Sequence, residues 1–146
     1  MEIDIRIVPL TKDIITGNLA VFIEMSSQLI GDYWTLDHYL AELDKKWDLS
    51  SAVYADNKLC GFIIVSEKED SLHVNRIVVA KEFKRHSIGK SLIEKAIHDT
   101  RKLNKSGLTL KVDAVNASAI NFYKKFNFEQ TGTQGELLLM KLKMSE

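Results

Sequence analysis

Apolar and polar positions change rhythm along this chain, and each change marks an element. Ile3, Ile5 and Ile7 alternate with polar residues up to Pro9, the single proline. A period of two predicts a strand with one covered face. Residues 12–30 switch to helical spacing, with Ile15, Leu19, Phe22 and Ile23 on one side, until Gly31-Asp32 interrupts the pattern. Thr35 is positioned to cap a second helix carrying Leu36, Tyr39, Leu40 and Leu43 on one face. Strands are predicted at 51–55, 59–66 and 72–80, separated by the turn signals Asp56-Asn57 and 67–70. Turns this short imply an antiparallel meander. Ile88, Leu92, Ile93, Ala96, Ile97 and Leu103 stripe a long helix over 88–103. Leu108, Leu110 and Val112 alternate on a strand over 108–115, a short helix covers 117–126, and 128–131 with 136–143 read as a hairpin.

A strand–helix–strand unit normally closes with its strands parallel and its crossover right-handed. The strands at 72–80 and 108–115 are therefore expected to be parallel neighbours. The fold class is α/β: a mixed, mostly antiparallel sheet with one central parallel pair and helices on both faces. A length of 146 residues fits one domain spanning 1–146. Open parallel strands bind ligands beyond their carboxyl ends, which directs attention to 81–90 and 114–118.

Composition narrows the partners. Twenty basic residues balance twenty acidic ones, which argues against a general nucleic-acid or anionic-membrane binder and makes any anion site local. Cys60 is the single cysteine, so no intrachain disulfide can form and a cytoplasmic location is expected. The first residues lack the apolar core of a signal peptide. The longest apolar run, 59–65, is too short to span a bilayer.

One anion site stands out. Lys84, Arg85, His86 and Lys90 surround the small residues Ser87 and Gly89 where a strand passes into the long helix. The first turn of such a helix offers unpaired N–H groups and the positive end of its dipole, a setting for phosphate. A solvated charged loop is the plainer alternative. Gly89-Lys90-Ser91 also mimics the end of a P-loop, but that motif needs glycine where Lys84 stands.

Residues 83–92 resemble the pyrophosphate loop of the GNAT N-acetyltransferases, Gln/Arg-x-x-Gly-x-Gly/Ala. Lys84, Ser87 and Gly89 occupy the three signature positions, and the first two depart from the pattern. Ser87 keeps the N–H but adds a Cβ, so a positive φ there would be strained. Residues 116–128 resemble the family's other motif, Asn-x-x-Ala-x-x-x-Tyr-x-x-x-Gly-Phe, through Asn116, Ala119, Tyr123 and Phe128. Asn127 replaces the glycine, and asparagine best tolerates a left-handed conformation past a helix end. The resemblance covers about residues 50–143.

That resemblance implies acetyl-CoA wedged between diverging parallel strands, with the acetyl group passing directly to a primary amine. It implies diphosphate contacts from Lys84, Arg85, His86, Ser87, Ile88, Gly89 and Lys90. It further implies contacts to the rest of the cofactor from Ile77, Val78, Val79, Asn116, Ser118 and Phe122. Tyr123 would protonate the departing thiolate, a role that suits a phenol of pKa ~10. By periodicity alone, Ala119, Phe122, Tyr123 and Phe126 form an apolar helical stripe, with Tyr123 in the core.

Strict alternation from Leu72 onward would put Arg76 on the face of Leu72 and Val74. A phase slip near 75–77, a β-bulge, avoids this; the resemblance implies such a bulge too, with the N–H groups of Ile77 and Val79 freed to pair with pantetheine and polarise the thioester carbonyl. His73 lies eleven residues before Lys84, where some members of the similar family carry a carboxylate base; its ordinary pKa of ~6.5 suits that role. A hydrogen-bonded strand histidine is the equal alternative. Asn75 would orient His73 or touch substrate. The acceptor, a small-molecule or peptide amine, would meet Asp32, Tyr33 and Trp34 and the turn over 132–136. No metal spacing is present, Cys60 reads as a core thiol, and a monomer or homodimer is expected. The competing functional reading is a non-catalytic acyl-CoA-binding domain of the same fold.

Overall fold

Strands β1 (Ile5–Pro9), β2 (Ser51–Ala55), β3 (Lys58–Glu67), β4 (Ser71–Val79), β5 (Gly107–Asp113), β6 (Glu129–Gln134) and β7 (Leu137–Lys143) form one sheet. Their spatial order is β1-β2-β3-β4-β5-β7-β6. Of the six pairings, β4 with β5 is the parallel one. The structure, a computed structural model, describes residues 3–29 and 33–145. The β2–β3 turn follows its sequence signal: Asp56 and Asn57 both adopt positive φ, at 47° and 71°, the twist a two-residue hairpin needs.

Helix α5 (Ile88–Lys102) makes the crossover between the parallel strands and buries Ile88, Leu92, Ile93, Ala96 and Ile97. Opposite it, Phe22 of α2 (Leu19–Ser26) and Tyr39 of α3 (Leu36–Leu40) pack on Phe62 of β3, with ring centroids 4.6 and 5.9 Å away. Two helical expectations are corrected. The helix expected over 12–30 breaks into α1 (Lys12–Gly17) and α2, because Asn18 turns its side-chain amide back onto the Ile14 carbonyl at 2.8 Å and competes with the backbone. The helix expected to reach Leu43 ends at Leu40, and a single turn, α4 (Lys46–Leu49), follows. Thr35 does cap α3, and His38 returns the bond to the Thr35 N–H at 2.9 Å. Among the described residues no helix is long and apolar enough to cross a membrane.

The bulge in β4 is where the sequence demanded it. Ile64 pairs with Arg76 and Val65 with Val74, leaving Asn75 without an opposite number. One extra residue reverses side-chain parity. On β3, Phe62 meets Phe22 of α2, whereas a Cβ at Gly61 would meet Ile88 of α5 at 3.4 Å. Cross-strand partners share a face, so Val74 faces α5 while Arg76 and Val78 face α2 and α3. Arg76 is buried, its guanidinium 4.5 Å from the Trp34 ring centroid and 5.8 Å from that of Tyr39.

Candidate functional site

The parallel ladder is short. It runs from Ser71–Gly107 to Val74–Leu110 and stops, although β4 continues to Val79 and β5 to Asp113. Beyond Val74 and Leu110 the strands diverge, and the gap opens into a cleft of about 1370 Å³. Amide directions alternate along an extended strand. Since Ala80 donates to the Cys60 carbonyl of β3, the N–H groups of Ile77 and Val79 turn the other way, toward the gap. The bulge and the divergence together leave a run of main-chain donors facing a large cavity.

At one end of the cleft stands the N-terminus of α5. Ser87 is its N-cap and makes no side-chain capping bond; its carbonyl instead accepts the N–H and the hydroxyl of Ser91, each at 3.1 Å. The Ser87 side chain thus leaves the first-turn N–H groups open, and Lys81, Lys84 and Lys90 line the same end. Gly89 lies under the Phe122 ring: a Cβ would come within 3.4 Å of Phe122 Cζ and 3.8 Å of Val79 Cγ2. A larger residue would fill the space beside the helix start.

Ser87 sits at φ 59°, ψ 23°, the left-handed conformation that its Cβ makes costly. Ser87→Gly is expected to stabilise the fold by about 0.5 kcal/mol, because relief of roughly 1 kcal/mol of strain is partly offset by glycine's unfolded-state entropy. Urea midpoints of the two proteins measure this; a destabilised variant would mean that the serine side chain more than repays its strain.

The far wall comes from α6 (Ala117–Lys124). Asn116 caps it, accepting the Ala119 N–H on Oδ1 at 3.1 Å. Asn116, Ser118, Phe122 and Tyr123 all line the cleft. Asn127, past the helix end, takes φ 71°, the conformation its glycine-like position requires. Tyr123 is largely buried, edge-on to Phe122 and Phe128, and burial pushes its hydroxyl up to about 12. The core and cleft readings of Tyr123 are thus both partly true: its ring packs in the apolar stripe while the residue borders the cavity.

His73 lies just before the divergence, half-buried. Its Nδ1 is 2.8 Å from Thr109 Oγ1. The Thr109 hydroxyl donates to the Leu72 carbonyl at 3.3 Å, so Nδ1 carries the proton and Nε2 keeps its lone pair. Burial, reinforced by the positive charges of Lys68 and Lys111, brings His73 down to about 4. The ordinary value of ~6.5 assumed from sequence does not hold in this environment. Asn75 points to the same face and accepts the Ser66 hydroxyl on Oδ1 at 2.8 Å.

Of the other residues singled out from sequence, Ile77, Val78, Val79, Lys84, Ser87, Gly89 and Lys90 line the cleft. The side chains of Arg85, His86 and Ile88 do not: Arg85 and His86 are exposed, and Ile88 is buried in the core under α5. Tyr33 is 94% exposed and outside the cleft wall. Trp34 serves as the platform for Arg76 rather than as a cleft wall. Asp32 lies outside the described residues. Gln28, expected from sequence only as the start of the acceptor-side segment 28–38, donates its amide to Val79 O at 2.8 Å and Met25 O at 2.9 Å, tying the end of α2 to the last residue of β4. Sequence reasoning missed Lys111 and Lys125, both lining residues, which alternation and helix periodicity merely mark as polar.

A family model described as the acetyltransferase (GNAT) family matches residues 20–128. An uncharacterised N-acetyltransferase of Methanocaldococcus jannaschii is 35% identical over 71 residues, covering 49% of this chain and 31% of that protein. Streptothricin acetyltransferase A of Bacillus subtilis is 33% identical over 76 residues, covering 51% of this chain and 44% of that protein. The matched segment thus spans less than half the length of either curated relative. Among solved structures, the PaiA N-acetyltransferase of Thermoplasma acidophilum, in complex with coenzyme A, superposes with a TM-score of 0.80 at 22% identity. That superposition covers 97% of this chain and 99% of the other, a likeness of fold.

Proposed function

Because this chain belongs to the GNAT acetyltransferase family, we propose that it transfers an acetyl group from acetyl-CoA to a primary amine by direct attack, with both substrates held in the cleft. The observation that carries this reading is the early end of the β4–β5 ladder, which opens a gap from the uncapped start of α5 to Tyr123. A cleft of about 1370 Å³ exceeds the usual range for drug-sized ligands, roughly 300–1,000 Å³, and suits a donor as long as coenzyme A.

The residues fit that donor. The Ile88, Gly89 and Lys90 amides, with Lys84 and Lys90 beside them, would hold the diphosphate. Ile77 and Val79 amides would pair with the pantetheine arm, and Asn116 has its side-chain N–H₂ left to donate. When bound, acetyl-CoA supplies the acetyl thioester, whose C–S bond breaks as the amine's C–N bond forms. Tyr123, still protonated at every physiological pH, gives its proton to the leaving sulfur. His73 takes the proton that nitrogen sheds. With a pKa of about 4 it is some six orders of magnitude too weak a base to deprotonate an alkylammonium of pKa ~10. It therefore acts once the C–N bond is forming, on an amine that arrives already neutral.

Thiol release from acetyl-CoA against a panel of amines tests the proposal. Turnover with at least one amine supports it. Tight coenzyme A binding with no turnover on any amine would favour the binding-only domain instead. The pH dependence of kcat/KM for a responsive amine should follow the amine's own ionisation, with no inflection near 6.5. Activity therefore falls about tenfold per pH unit below the amine's pKa, long before His73 gains its proton near 4. An inflection near 6.5 that vanishes in His73→Ala would show that His73 titrates as an ordinary imidazole.

A further inference from the structure

The open face of the sheet beside His73 has an uneven charge. Thr109 shares a face with His73, as their hydrogen bond requires. Lys111 and Asp113 follow on the same face of β5, since its register with β7 is unbroken. Lys111 is the first residue beyond the point of divergence on β5, as Asn75 is on β4. It stands about 6.6 Å along the strand from Thr109, is exposed, and lines the cleft. Its cross-strand partner on β7 is the uncharged Leu139.

Among the described residues Lys111 makes no ion pair. Among the described residues the carboxylates that line the cleft are Asp113 and Glu136, both farther from His73 and near the strand ends. One Asp113 oxygen is already taken by the Val115 N–H at 3.0 Å. Among the described residues, the other charged side chains on this stretch of the lining are Lys125 and, toward the start of α5, Lys81, Lys84 and Lys90. The charges that act on His73 are likewise the cations Lys68 and Lys111. Ground of this sign repels a polycation and attracts an anion.

We propose that the acceptor carries an anionic group, such as a carboxylate, within a few bonds of its reacting amine, and that Lys111 receives that anion on the open face of β5. This inference rests on the acetyl-transfer reading and specifies its substrate class.

The test compares four acceptors by thiol release: a free amino acid, its carboxamide, a peptide with acidic residues after its N-terminus, and a polyamine. The parent should use the carboxylate-bearing acceptors at least about tenfold better than the carboxamide or polyamine, mainly through KM. Whichever of the free amino acid and the acidic peptide is favoured identifies the source of the anion. Lys111→Glu should abolish or invert the preference, and Lys111→Met should flatten it. Calorimetric affinity for coenzyme A serves as the control that each variant is folded. Equal use of the amino acid and its carboxamide by the parent, or a preference that survives Lys111→Glu, overturns the assignment while leaving acetyl transfer intact. Silence with all four acceptors, while other amines turn over, overturns it too. No turnover with any amine removes the underlying reading as well.

Discussion

Tyr123→Phe should lower kcat by roughly a hundredfold or more while coenzyme A binds almost as tightly as before. Phenylalanine preserves the ring that packs edge-on to Phe122 and Phe128, so the wall of the cleft keeps its shape. Only the hydroxyl disappears, and with it the proton that the departing sulfur needs. Because burial holds this phenol up to about 12, the parent should show no loss of activity from Tyr123 ionisation below that pH. The same shift has a stability signature. In the unfolded chain the phenol ionises from pH ~10, ahead of the folded state. Its contribution is therefore complete below pH 10 and falls away as pH rises toward about 12; the Phe variant should lack that slope. Calorimetric binding and single-turnover thiol release, measured on both proteins, separate chemistry from affinity. Equal turnover in variant and parent would remove Tyr123 from the acid role and leave it as a packing residue.

Much of this arrangement was readable in advance for a physical reason: the signals were conflicts between local patterns. An uninterrupted strand from Leu72 would have put Arg76 on the face of Leu72 and Val74, so a parity change near Asn75 was the economical answer. The crossover rule then paired β4 with β5, and an asparagine at 127 marked a left-handed helix end. What the sequence concealed depends on where chain segments meet. Asn18 reads as one polar residue inside a helical stripe, and its bond to Ile14 decides that the helix breaks. The depressed His73 value needs its burial beneath neighbouring elements and the cations of two different segments, Lys68 and Lys111. Trp34 looked like a substrate wall, yet its ring is occupied by Arg76, a partner 42 residues away in the sequence.

Lys46 is the clearest case of such concealment, and its loss should be the costliest for stability. In the run Asp44-Lys45-Lys46 it reads as a solvated charge, but it is 1% exposed. Its ammonium donates to the Tyr39 carbonyl at 2.6 Å and the Ala41 carbonyl at 2.8 Å, and lies 4.6 Å from the Trp47 ring centroid. These are the end carbonyls of α3, groups that a helix terminus leaves without internal donors. Lys46→Met keeps most of the volume but strands both oxygens in a closed space. Each orphaned carbonyl costs about 1–3 kcal/mol, against which the relief of burying no charge counts only in part, so a net loss of about 3 kcal/mol is expected. Urea denaturation at pH 7 measures it, with Lys45→Met as the comparison, since the Lys45–Glu67 pair at 3.5 Å, its lysine exposed, should contribute about 0.5 kcal/mol or less. Burial lowers the Lys46 pKa in the fold, so between that value and 10.5 the unfolded chain holds the proton more tightly. The parent's stability should therefore gain from Lys46 as pH rises through that window, and the Met variant should not share the gain. A neutral Lys46→Met substitution would mean that water reaches the two carbonyls, and that the aromatic packing of Tyr39 and its buried hydrogen bond with Ser26 suffice to hold α3.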